Sequence, residues 1–177
     1  LGYFLGVFAG LMTIGHSVPM IKAMGGSITI AITGITLMSF GSGVAGVYAG
    51  WLSDRFGCKR PLVVILIINS IALFSLTNFI NINLTLILMN LVASLYGAVI
   101  AIYPTLVNNI FGPDNSAWAY GRIFTAWGFA GLASPFLAGW LFDQSNQYNS
   151  SLLVAFILSI LSAIIISRIP YNVKTAR

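Results

Sequence analysis

The stretch Gly50-Trp51-Leu52-Ser53-Asp54-Arg55-Phe56-Gly57-Cys58-Lys59-Arg60 divides two long apolar runs, 28–53 before it and 61–79 after it. It packs an acid, three bases and two glycines into eleven residues of a chain that is only 6% charged. A turn between two membrane-crossing helices has this composition: glycines permit close helix approach and reversal, and bases hold the turn to one side of the bilayer. Asp54 is placed to accept hydrogen bonds from Arg55, Arg122 or a neighbouring helix N-terminus, while Lys59 and Arg60 are expected to anchor to lipid phosphates.

Working outward, the composition supports that reading. Of the 177 residues, 58% are apolar, and the mean hydropathy is +0.96. An ordinary soluble domain carries about 25% charged residues, so a water-soluble globule is excluded. Eight Lys and Arg against three Asp leave a net charge of +5. That excess comes from a scarcity of acids, not from a basic patch, so nucleic acid is not an expected partner. One cysteine, one histidine and three dispersed Asp offer neither a disulfide framework nor a metal cluster. The expected surroundings are a lipid bilayer, with no cofactor.

A helix needs about 20 apolar residues to cross the hydrocarbon layer. Six such runs are readable, at 1–22, 28–53, 61–79, 83–111, 120–142 and 151–168, separated by turns rich in Gly, Pro, Asn, Asp and Ser. The organisation expected is one six-helix transmembrane bundle over 1–177, with a cytoplasmic loop at 53–60 and a cytoplasmic tail at 169–177. Arg55, Lys59, Arg60, Arg122, Arg168, Lys174 and Arg177 fall on one side and Lys22 alone on the other. Short basic loops stay in the cytoplasm, so both termini are expected there, in a cell or inner membrane. The first apolar run starts at Leu1 with no initiator Met, basic flank or cleavage signal, which makes a segment of a longer chain the expectation.

The ordered set from Gly50 to Arg60 resembles the G-x-L-x-D-R-x-G-x-K/R-R/K loop of the major facilitator superfamily, which lies between the second and third helices of a six-helix half and recurs as an echo in the second half. A second stretch narrows the resemblance: Phe111-Gly112-Pro113, Tyr120-Gly121-Arg122, Trp127-Gly128, Ser134-Pro135, Gly139 and Phe142-Asp143. It is similar to the eleventh helix of the oxalate/formate antiporter and monocarboxylate-porter branch. The resemblance implies an all-α integral membrane fold: six transmembrane helices forming the C-terminal half of a twelve-helix carrier, built from inverted three-helix repeats. It also implies an N-terminal six-helix half as partner, a small-molecule solute, and secondary active transport by alternating access. In that architecture the first, second, fourth and fifth helices line the central cavity and the third and sixth face lipid.

Polar residues within spans normally face a cavity or a bundle interior. The first helix offers Thr13, His16 and Ser17; the second Thr33, Thr36 and Ser39; the fourth Asn90, Tyr96 and Tyr103; the fifth Thr125 and Trp127. Each Thr or Ser has two readings, solute contact or a bond back to its own backbone. His16 likewise either binds an anion or relays a proton, or sits neutral in a bond to a neighbouring helix. Inverted repeats should bend at matching depths, and Pro19 and Pro104 lie about 20 residues into the first and fourth spans. Pro135 supplies another bend in the fifth. Arg122 is expected at the cytoplasmic end of the fifth helix, where a pair with Asp54 would close a gate. Glycines along the second and fifth helices are expected to permit close packing.

Oxalate-transporting members carry bases inside their eighth and eleventh helices. This chain has none beside Trp127, and its second helix is uncharged from Ile28 to Ser53. A buried dianion without counter-charges is costly. A monocarboxylate, or a small neutral organic solute, therefore suits the chain better. An intramembrane serine protease is a poor alternative: Gly41-Ser42-Gly43 follows His16, the reverse of the rhomboid order. A channel lacks a recognisable filter motif or charged ring. Gly41-Ser42-Gly43 has no preceding strand and is no dinucleotide loop.

Overall fold

The computed structural model describes residues 1–78 and 81–170. Lys174 and Arg177 of the expected tail, and the end of the third span at Phe79, lie outside the described residues. Seven helices make up the described chain: α1 (Gly2–Gly15), α2 (Ser17–Ala23), α3 (Ile28–Phe56), α4 (Lys59–Leu76), α5 (Ile82–Phe111), α6 (Pro113–Ser145) and α7 (Asn149–Ser167). Helices α3 to α7 are each long and apolar enough to cross a bilayer. Helices α1 and α2 qualify together as a sixth span bent by 49°.

The bend has a local cause. Pro19 has no N–H to offer the carbonyl four residues back, at Gly15, and its ring crowds that carbonyl. The helix accordingly stops at Gly15 and restarts at Ser17, with the Met20 N–H bonded to the His16 carbonyl at 2.9 Å. The expected mate at Pro104 does not break: α5 runs through it from Ile82 to Phe111. Ile102, Tyr103, Leu106 and Val107 around it are buried, and side-chain packing on both sides holds the helix together where one bond is missing.

The turns are tighter than their composition suggests. The expected loop 53–60 is helical except at Gly57 and Cys58, because Gly57 at φ +76 reverses the chain in two residues. Gly112, at φ +77, ends α5, and Pro113 starts α6 at once. The stretch from Gly112 to Trp118, expected to be a turn, is therefore mostly the first turns of a 33-residue helix. Replacing Gly57 with alanine forces a side chain into a region only glycine tolerates, at a cost of about 1–3 kcal/mol. We expect the thermal midpoint of detergent-solubilised protein to fall measurably in Gly57→Ala; an unchanged midpoint would contradict that backbone assignment.

Packing follows the inverted repeat. The first helix of each three-helix unit packs on the second and third helices of the other: α5 against α3 and α4, α1 against α6 and α7. The units also meet through α1 against α5 and α4 against α7. Polar residues in the third and sixth spans serve these seams. Asn69 Nδ2 donates to Ser159 Oγ at 3.1 Å, and that hydroxyl donates to the Leu66 carbonyl at 3.0 Å. Ser162 Oγ donates to the Gly2 carbonyl at 2.7 Å. Helices α4 and α7 thus pack polar groups inward and do not simply face lipid.

Glycine permits contact only along part of the expected stripes. A Cβ added at Gly41 would lie 2.6 Å from Ser94 Oγ, and one added at Gly97 would enter the backbone of Ser42, so α3 and α5 touch through these two residues. A Cβ at Gly43, Gly50, Gly121, Gly128 or Gly131 would meet nothing within 4 Å. Close approach at Gly50, expected from its sequence setting, is not used within this bundle.

Candidate functional site, an aromatic seam between α1, α5 and α6

Successive residues in an α-helix step by about 100°, so positions three, four and seven apart share a face. On α6 this places Tyr120, Phe124 and Trp127 on one side. On α5 it aligns Tyr96 with Tyr103, and on α1 Tyr3 with Gly10. The three faces converge. Tyr3 and Tyr103 meet at a tilt of 48° with ring centres 4.2 Å apart. Phe124 lies parallel to Trp127 at 5.2 Å, and Tyr120 tilts against Phe124 at 5.5 Å. The Trp127 indole N–H donates to the Tyr96 hydroxyl at 2.7 Å. Gly10 makes this possible, because a Cβ there would lie 2.6 Å from the Tyr96 ring.

The chemistry of the seam is specific. The Tyr96 oxygen accepts from Trp127, which leaves its own hydrogen for another acceptor. A carboxylate or carbonyl oxygen of a small solute is such an acceptor, and flat aromatic walls fit a flat organic group. No charged side chain stands among these six aromatics, so a single negative charge is easier to hold here than two.

The other residues singled out from sequence are placed as follows. Thr13, Thr36, Ser39 and Thr125 each donate to their own backbone, to Ala9, Ile32, Ile35 and Arg122 carbonyls at 2.7–3.3 Å. Asn90 lies at the α3–α5 seam, its Oδ1 buried without a partner. Thr33 is exposed and Ser17 is buried. Pro104 is exposed on α5. His16, at the α1–α2 break, bonds through Nε2 to the Pro135 carbonyl at 2.9 Å and faces the Tyr148 hydroxyl through Nδ1 at 3.4 Å. Tyr3, Tyr120 and Phe124 were not anticipated; the spacing 120, 124, 127 was the available signal.

At the basic end, the Lys59 ammonium donates to the Ile169 carbonyl at 2.6 Å, tying the turn to the end of α7. Arg122 lies about 14 Å along α6 from Pro113, because that helix begins earlier than expected. Its guanidinium sits over the Trp118 ring at 4.0 Å, on the face shared with Thr125 and turned away from Trp127. Among the described residues no ion pair forms, and Asp54 is exposed. Arg55 lies over the Trp51 and Phe56 rings at 5.5 and 5.7 Å. Cys58 is buried and accepts from Asn109 Nδ2 at 3.3 Å. The turn, including Arg60, lines an open groove of about 1250 Å³ at this end.

Six apolar spans form two interlocked three-helix units, whose leading helices meet through the Tyr3 and Tyr103 rings, the layout of a membrane-embedded repeat bundle. The chain belongs to the Major Facilitator Superfamily, whose family model matches residues 1–175. It is 23% identical over 172 residues to the oxalate:formate antiporter of Oxalobacter formigenes, an alignment covering 94% of this chain and 41% of that protein. The chain therefore spans less than half the length of this curated relative.

Proposed function

We propose that this chain is the C-terminal six-helix half of a secondary carrier. Together with an N-terminal half it moves a small organic anion, a monocarboxylate or close relative, by alternating access and in exchange for another anion. Its place is the cell membrane, with the basic end and both termini cytoplasmic. The Tyr96–Trp127 pair supports this reading most directly, since it joins α5 to α6 and offers a hydroxyl hydrogen without a neighbouring cation. The relative's name, with one monoanion and one dianion in it, supports the solute class. The exposed Asp54 and Arg122 are free to pair in another conformation and close the inner gate. The bend at Pro19 lets the first span flex, while α6 runs through Pro135 without a break.

The test is counterflow of labelled formate into proteoliposomes holding the full-length carrier, with labelled oxalate in parallel. Formate exchange exceeding oxalate exchange is expected. Preference for oxalate would overturn the monoanion reading, and flux through this six-helix piece alone would overturn its being half of a carrier.

A further inference from the structure

His16, the one histidine of these 177 residues, stands at the one broken span among the described residues. Its ring touches two other elements. The Pro135 carbonyl can only accept, so the Nε2 atom 2.9 Å away carries a hydrogen. With the imidazole neutral, Nδ1 is then an acceptor, and the Tyr148 hydroxyl 3.4 Å away donates to it. Tyr148 precedes α7 and stacks on Phe142 of α6 at 4.4 Å, which fixes its position. Gly139 lies against the ring, where an added Cβ would stand 3.6 Å from His16 Cε1 in ordinary contact, and a Cβ at Gly15 would press to 3.2 Å on the Pro135 ring.

The partners accept either protonation state. When a proton adds to Nδ1, the hydroxyl hydrogen of Tyr148 turns away and its oxygen accepts from Nδ1–H, while Nε2–H keeps its bond to the carbonyl. Burial, and behind it the Asp143 carboxylate, hold the Tyr148 hydroxyl above its ordinary pKa, so it stays a neutral phenol. Asp143 is exposed at the end of α6. The other helices packed on this point add no competing charge: α5 and α7 carry no charged side chain, and Lys22 is six residues further along α2.

We propose that His16 is a proton-binding residue whose protonation clamps the bent first span onto α6 and α7 and so favours closure of the bundle's outer end. The reason is differential bonding. Swinging α2 away pulls Nε2 from the Pro135 carbonyl, and a charge-assisted bond is roughly twice as strong as a neutral one. The clamped state therefore binds the proton more tightly, and by linkage acid favours the clamped state. The inference goes beyond the solute reading, and its readouts need no solute.

¹⁵N-histidine labelling of the full-length carrier in lipid nanodiscs, purified without a histidine tag, reads the ring directly, with the signals missing from His16→Gln assigned to His16. The Nε2–H tautomer is expected at alkaline pH and the doubly protonated ring in acid. Tyr148→Phe removes the hydroxyl that accepts from Nδ1–H and should weaken the acid response. Spin labels at Lys22→Cys and Gln144→Cys, with Cys58→Ser, should report a shorter and narrower distance in acid. His16→Gln retains a donor for the carbonyl and should abolish that pH response. An Nδ1–H tautomer, a ring that never titrates while the chain is folded, or a pH-dependent distance that persists in His16→Gln would each overturn the proposal. Loss of formate exchange with the imidazole titration intact would count against the solute reading alone.

Discussion

Leucine at position 97 is expected to leave no assembled bundle. Gly97 of α5 faces the backbone of Ser42 in α3, and a Cβ there would sit 2.9 Å from the Ser42 carbonyl carbon and nearer still to its oxygen. A backbone cannot rotate aside as a side-chain tip can, so relief requires α3 and α5 to part. Even Gly97→Ala should cost about 1–3 kcal/mol as overpacking, a large share of the roughly 5–15 kcal/mol that stabilises a typical protein. Size-exclusion profiles and thermal midpoints in detergent check this. Gly97→Leu should run as aggregate, Gly97→Ala should melt well below the parent, and Gly50→Ala, which meets nothing within 4 Å, should match the parent. Equal midpoints for Gly97→Ala and Gly50→Ala would refute the α3–α5 contact.

The second large effect is expected at Trp127. Truncation to alanine removes the donor to Tyr96 and the ring stacked on Phe124. Loss of one buried hydrogen bond with its aromatic contact is worth about 2–3 kcal/mol, so formate exchange by the full-length carrier should fall about 30- to 150-fold. Trp127→Phe keeps a stacking ring and should lose about tenfold. Tyr96→Phe should resemble it, and the double variant Tyr96→Phe with Trp127→Phe should lose little more than either, because both remove the same bond. Fully additive losses would mean that the pair does not act as a unit. Oxalate and formate exchange falling by different factors would show that the seam contributes to anion choice.

Much of the architecture was legible because a bilayer imposes strong rules. Six apolar runs, short turns and a lopsided distribution of bases are one-dimensional properties, and they gave the spans to within a few residues, except at the start of α6. That exception has a local reason. Polar residues after Pro113 read as a turn, yet an N-terminal proline and Asp114 are as well suited to opening a helix. The bend in the first span was also anticipated from Pro19. Its position one turn earlier, at His16, follows from which carbonyl the proline orphans. The site was read only in part. Tyr96 and Trp127 stand out in the sequence as polar or amphipathic residues within spans, and Thr13, Thr36, Ser39 and Thr125 take the second of their two readings, a bond to their own helix.

The sequence by itself determined that the chain is a bundle of membrane helices, roughly where each helix runs, and which end carries the positive charge. These follow from hydrophobic length and charge placement, which act on each segment independently of its neighbours. Only the tertiary structure decided that Gly97 and Gly41, but not Gly50 or Gly128, are sites of helix contact. It also placed Tyr96 beside Trp127 and His16 between Pro135 and Tyr148. Inside a membrane nearly every face of a helix is apolar, so apolar periodicity says little about which face meets which neighbour. That choice is made by close packing and by the few polar groups that must find partners across helices.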